Sequence, residues 1–570
     1  MDRFFFPATT GTHADVFAAV GLAHLLRRPA SDCTLRNTGS GFEVVLDPPL
    51  DLENGPMIDC SPGYYFLKPN AKVTAPEDVG EVVDYVVEKA RVDAHREAQK
   101  AARAAGAEIA EEVAGNAPRG DWRLYQALNA LQGDDAANNI VKVINRLAPA
   151  AWREQLYAAL SALGANTRAE VPWDASLVQL FSPYAAKGYA RLKPDSTGRG
   201  DKTKDAWSDP FIEWLRVRGY FAAACPFFVG SKGEHVRLLC PVPKNIEAGA
   251  MMDVVAQLRQ ARIFGSAPKI DCIATLELAR LLIQHFREHK LMLMEPEALV
   301  GSIAIANYQS MGQAKAVTAI DTLSLPGWFS LNTEADANLW LTTLEEHLTV
   351  LHRLRDDHSD EIGLILAYRR FLERRGPRAV FTLLDFMEQY GIFLLRERAS
   401  DPDSRRKQFQ TDHLEAILNQ QDEYKRVINN AGFKAVAAAI RGATVTAQSR
   451  KANKQDFRDI RYDLLPELRR KRSLPGVGPF LESVSEFIAS YNAESARRLE
   501  AAKEKGVRLS GTKRLTAEEM ESFAQLLLEH KDAAVVGAML CAYATCRVPK
   551  AVAPQAGPDP EPEDEGDEGQ

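Results

Sequence analysis

From about residue 330 to residue 550, apolar side chains recur at steps of three and four, with almost no strand-like alternation. That spacing confines the back of the chain to helices. Leu341, Leu344, Leu348 and Leu351 step by three, four and three, as a bundle seam does, and Val380, Leu383, Leu384, Met387 and Leu394 repeat the pattern. Thr516 with Glu519 forms a capping box ahead of one long apolar-faced helix expected over 520–546. The front reads differently. A short aromatic strand at 3–6 precedes an amphipathic helix at 12–26, and strands at 34–36 and 42–46 flank Asn37-Thr38-Gly39-Ser40-Gly41, a loop whose residues tolerate positive φ. Residues 87–113 have helical period but are too polar for a core, so an exposed insertion is expected. A helix over 207–218 leads to strands at 220–229 and 236–242. Helices at 248–263 and 271–289 follow, then strands at 301–306 and 316–323. The fold class is therefore α+β. A mixed α/β N-terminal domain spans 1–325 with a helical insertion at about 84–163, an all-helical domain spans 326–550, and an acidic tail spans 551–570. That tail is expected to be disordered, because it cannot bury enough to offset its ordering entropy.

Charge decides which partners are plausible, and its location matters more than its total. The 570 residues hold 70 Lys+Arg against 77 Asp+Glu, a formal net charge of -7. Residues 551–570 carry seven acids and no base, so the preceding 550 residues are balanced. Between 424 and 475 stand thirteen Lys/Arg and four Asp/Glu, a local +9. A solvated surface usually mixes signs, as 87–113 does; this excess favours contact with nucleic acid. The basic candidates fall in two groups. Lys187, Arg191, Lys193, Arg199, Lys202 and Lys204 sit in a glycine-containing loop at 187–204, where the backbone can approach phosphate, with Lys232 and His235 at a hairpin tip near by. Arg441, Arg450, Lys451, Lys454, Arg458 and Arg461 precede the run Arg469, Arg470, Lys471, Arg472. Phe457 and Tyr462 lie among them as possible stacking platforms for unpaired bases.

Enzymatic readings find little support. His285, Glu288 and His289 form an H-x-x-E-H string, the arrangement in which two histidines one turn apart grip zinc and the glutamate acts as base. Five-residue patterns recur by chance, and nothing selects a third ligand among Glu345, Glu346 and Glu361. His347, His352 and His358 read as solvated residues beside the leucine seam. There is no phosphate-cradling G-x-x-x-x-G-K-[ST] loop and no G-x-S-x-G elbow. No enzyme activity, metal or cofactor is expected. Seven scattered cysteines without a C-x-x-C pair suit buried thiols in a reducing, cytoplasmic setting, and no apolar run is long enough to span a membrane.

Three stretches together resemble the large subunit of type I CRISPR surveillance complexes (Cascade), within the subtype A/B-like lineage. The first is Phe4-Phe5-Phe6-Pro7 with the helix after it. The second runs from Lys187-Gly188 through Arg191-Leu192-Lys193-Pro194-Asp195, Trp207, Trp214-Leu215 and Gly219-Tyr220-Phe221 to Gly230-Ser231-Lys232. The third runs from Ile440-Arg441-Gly442-Ala443-Thr444 through Arg458 and Arg461-Tyr462-Asp463-Leu464-Leu465 to Phe487 and Tyr491-Asn492. The resemblance covers about a third of the chain; the insertion at 87–113 and the acidic tail depart from it. It implies a non-catalytic subunit that inspects the protospacer-adjacent motif, aids duplex opening and holds the displaced strand. The implied partners are crRNA, target DNA, the other Cascade backbone subunits and a helicase-nuclease. Guide pairing would read sequence while the protein reads the short motif and the backbone. The competing readings are a zinc metalloprotease on His285/Glu288/His289 and a helical scaffold binding other proteins.

Overall fold

The computed structural model describes residues 2–549 except 28–31, 54–57, 59–60, 62, 70–78, 106–116, 174–177, 184–208, 231–234, 312–313, 403, 405, 456 and 507–512. Two compact units emerge, Met1–Phe386 and Met387–Gln570.

In the first unit, strand β1 (Arg3–Pro7) is followed by helix α1 (His13–Leu26), whose N-cap Thr12 accepts a bond from the Ala14 amide. Strands β2 (Asp32–Asn37) and β3 (Gly41–Asp47) then form the expected hairpin, with Gly39 at φ +84° in its loop. Phe4, Phe6, Phe42, Val44 and Leu46 alternate inward and are buried, which fixes the register Phe4↔Val44 and Phe6↔Phe42. Strands β4 (Tyr65–Leu67) and β5 (Val82–Asp84) make a small parallel pair. Helix α2 (Tyr85–Ala105) is largely exposed, as its polarity predicts. The next helices are α3 (Trp122–Leu131), α4 (Asp134–Arg146) and α5 (Pro149–Gly164). These three are no mere insertion. Trp122, Leu124, Tyr125 and Leu128 of α3 are buried, and Trp152 of α5 packs on Trp173 and Trp214.

Helix α6 (Pro210–Ala223), capped by Asp209, runs on past the expected strand start at 220. Tyr220 is therefore a buried helical residue, its hydroxyl donating to the Leu124 carbonyl at 2.7 Å. Gly219 lets the helix cross α1 with the backbones close together. Strand β6 (Cys225–Val229) pairs with β7 (His235–Pro243), and β8 (Asn245–Glu247) joins the first sheet, giving the order β1-β3-β2-β8. Helices α7 (Ala248–Gln260), α8 (Ala267–Glu288) and α9 (Pro296–Leu299) lead to β9 (Val300–Met311) and β10 (Ala314–Ser324), which complete an antiparallel sheet in the order β10-β9-β7-β6.

Helices α10 (Glu334–Arg353) and α11 (Ser359–Leu372) pack on α8, so the first unit extends well beyond the 325/326 division suggested by hydropathy. The reason is visible in charge as well as packing. Fully buried Asp271 of α8 accepts from Arg237 of β7 at 2.8 Å and from Arg369 of α11 at 2.9 Å, and Arg369 also bonds Asp321 of β10. His347 of α10 is buried rather than solvated, hydrogen-bonded to the Tyr368 hydroxyl at 2.8 Å and tilted against Trp328.

Helix α12 (Pro377–Ser400) carries the division between the units. The second unit continues with α13 (Thr411–Leu418), α14 (Asp422–Ile428), α15 (Ala431–Ala443), α16 (Val445–Ala452), α17 (Leu464–Arg472) and α18 (Gly478–Glu504). Its last two helices are α19 (Ala517–His530) and α20 (Ala533–Thr545). The Thr516–Glu519 capping box is present, but the long helix expected over 520–546 is two. Lys531 turns left-handed at φ +60° and Asp532 caps the second piece. Inside the unit, Glu388 of α12, fully buried, takes bonds from Arg472 of α17. No described helix is long and apolar enough to cross a membrane.

Candidate nucleic-acid interface

Helix α15 ends at Ala443, and Thr444, at φ -122° and ψ -101°, redirects the chain straight into α16. The bend puts Arg441, from the last turn of α15, beside Arg450 and Lys451, from the last turn of α16, with Lys454 just beyond. Cations at helix C-termini are favourable on their own account, since unsatisfied carbonyls give that end a negative potential. The bend does more. It lines a groove of about 990 Å³ to which Arg398 of α12 and Arg547, beyond α20, contribute from distant parts of the sequence. Arg547 is held there by strand-like bonds, its amide donating to the Phe409 carbonyl at 2.7 Å and its carbonyl accepting from Thr411 at 3.0 Å. The remaining polar lining is neutral, with Gln408, Thr446, Ser449 and Asn453 among it; no carboxylate is found among the described lining residues.

Two of these cations are partly desolvated. Arg441 donates to the Tyr543 carbonyl at 2.6 Å and lies 5.2 Å from that ring's centre, while its buried Nε has no hydrogen-bond partner among the described residues. Arg398 donates to the Arg406 carbonyl at 2.9 Å. Burial pushes the pKa of both guanidinia down. Arg398, Arg441, Lys451, Lys454 and Arg547 make no ion pair with a described residue. Tyr462 lines the groove and is 37% exposed, and Phe457, also exposed, has the Lys451 ammonium 5.9 Å from its ring centre. A groove of this kind attracts a polyanion and offers ring faces to flat groups.

Several basic residues singled out by charge density lie outside the groove, most of them with partners in the fold. Arg458 is buried, its guanidinium 3.7 Å from the Tyr491 ring centre, bonded to Ser495 and 4.0 Å from Glu494. Arg461 bonds the Ser490 hydroxyl at 2.6 Å and lies over Phe487. Arg469 faces Glu388 at 3.9 Å, next to the buried Arg472. Arg470 is exposed on α17 and does not line the groove. Of the C-terminal basic residues, Arg441, Arg450, Lys451 and Lys454 line the groove, while Arg458 and Arg461 are engaged within the fold, because a guanidinium can be buried against rings and carboxylates at the same spacing as a surface one. Arg398 and Arg547 lie outside the basic stretch at 424–475; the fold brings them in. Lys187, Arg191, Lys193, Arg199, Lys202, Lys204 and Lys232 lie outside the described residues. His235 begins β7, half-buried.

The H-x-x-E-H string lies at the end of α8. His289 donates through Nδ1 to the His285 carbonyl at 2.9 Å, and the two rings stack with centres 4.2 Å apart. Glu361 is engaged by the Arg355 amide and Nε, both at 2.7 Å. Among the described residues no three His, Cys, Asp or Glu side chains are placed to hold a metal ion.

Neither the models of known protein families nor the curated proteins contain a match to this chain.

Proposed function

We propose that this chain is a non-catalytic nucleic-acid-binding protein whose second unit holds single-stranded DNA in the basic groove. The observation that carries the reading is the composition of that groove: six cations from four separate segments converge with no described carboxylate between them. Phosphate neutralisation supplies the affinity, and Tyr462 and Phe457 supply sequence-tolerant stacking. Within the resemblance to Cascade large subunits, this groove takes the displaced strand of a guide-paired target. The loop at 187–204 takes the duplex near the recognition motif. The partners proposed are accordingly crRNA, target DNA, the Cascade backbone subunits and a helicase-nuclease, in the cytoplasm.

A titration of fluorescent oligo-dT against the full-length chain at several salt concentrations tests the groove. Binding should weaken with a log–log slope of about -0.7 for each phosphate neutralised on a single strand. Binding absent at low salt, or insensitive to salt, defeats the reading and leaves the helical scaffold in its place. The larger assignment is tested separately, by whether the chain co-assembles with crRNA-bearing subunits and is needed for target binding.

A further inference from the structure

Resting on that reading of the groove, we propose that residues 551–570 of the same chain act as its internal competitor, occupying the groove in place of nucleic acid. Three observations carry this. Arg547 and Val548 both line the groove, so the chain passes into 551–570 from the groove's own wall. Segment 551–570 holds seven carboxylates and no cation, all seven between Asp559 and Glu568. The groove holds six cations and no described carboxylate, among them the desolvated guanidinia of Arg398 and Arg441. The two are complementary in sign, and no described residue lining the groove carries a negative charge.

Reach presents no obstacle. Asp559 is eleven residues beyond Val548, a span of at most about 40 Å when fully extended. A ligand tethered that closely is present at an effective concentration on the order of 1 mM. Individually weak carboxylate–guanidinium contacts then suffice for substantial occupancy, whereas a polyphosphate of higher charge density displaces the segment. Binding at the groove is therefore set by a contest. Strands that make few phosphate contacts are turned away, and those that track the whole groove are admitted. This arrangement also accounts for a net negative chain carrying a polyanion site.

The experiment uses the full-length chain and a variant in which the seven acids of 551–570 are changed to their amides. Oligo-dT should bind the variant about tenfold more tightly at low salt, the advantage of removing a tethered competitor. A labelled peptide of residues 551–570 should bind the variant in trans and lose that binding when Lys451→Glu and Lys454→Glu are added. Equal oligo-dT affinities of the two chains overturn the inference while leaving the groove's function intact. A peptide that does not bind, or binds regardless of the two lysines, overturns it too. Peptide binding through the lysines, with no oligo-dT binding by either chain, overturns the proposed function and keeps the occupied groove.

Discussion

Gly21 of α1 and Gly219 of α6 each stand against the other helix's backbone. A Cβ on Gly21 would lie 1.8 Å from the Leu215 carbonyl oxygen, and one on Gly219 would lie 1.9 Å from that of Phe17. Neither methyl can be accommodated by a side chain moving aside, because the obstacle is main chain. Gly219→Ala should therefore push the helices apart and destabilise the first unit by about 3 kcal/mol or more, at the upper end of overpacking costs. Thermal unfolding followed by circular dichroism reads this directly; an unchanged melting temperature would show that the crossing is looser than described.

The buried pair in the second unit makes a sharper demand. Glu388 is fully buried against Arg472, whose Nε donates to it at 3.1 Å. Glu388→Gln leaves a guanidinium in the interior without its counter-charge, which should cost about 3–5 kcal/mol. Chemical denaturation of the full chain should show the loss in the transition assigned to the second unit, and a Glu388→Gln/Arg472→Met double variant should recover part of it.

Arg458 and Lys454 separate structure from binding. Arg458→Ala removes a stacked, hydrogen-bonded side chain and should lower stability by about 2 kcal/mol. Lys454→Glu, at an exposed groove position, should leave stability within about 0.5 kcal/mol. Binding should report the opposite order: Lys454→Glu weakens oligo-dT binding and flattens its salt slope by about one contact. A folded Arg458→Ala chain should retain the wild-type slope.

Acid stability should depend on His13. Its Nε2 lies 3.2 Å from the Leu180 carbonyl, which can only accept, so the buried ring is the neutral Nε2–H tautomer. Burial lowers its pKa to about 4. The unfolded chain, with an ordinary pKa near 6.5, binds this proton more readily than the folded one. The contribution is complete above about pH 6.5, and falls by roughly 3 kcal/mol as pH drops to about 4. Measured unfolding free energies over that window should decline, with a shallower decline in His13→Gln even if that variant is less stable overall.

The sequence resolves the α+β class and the groove's central segment because both are written locally. Alternation in 42–46 and the three-four steps of 341–351 each report a buried face directly. The extent of the first unit is not written that way. It depends on Arg369 meeting Asp271 across 98 positions of sequence, and on α8 lying between a sheet and two helices. The start of the strand expected at 220–229 differs for a related reason. Tyr220 and Phe221 suit a strand by propensity, but here they lie in the last turn of a helix whose Gly219 permits close approach to α1, with Tyr220 buried. In the groove, α15 and α16 announce themselves through charge, whereas Arg547 lies about a hundred positions away in sequence and is placed by the bonds of its backbone to Phe409 and Thr411.

Asp271, held from β7 and α11 at once, has a practical corollary. A protease that cut the connection between β10 and α10 would sever the polypeptide without separating its pieces. The nicked protein would still migrate as one particle in gel filtration and come apart only in denaturant. Two bands on a denaturing gel from that cut would mark a broken peptide bond, and would not locate a boundary between folding units.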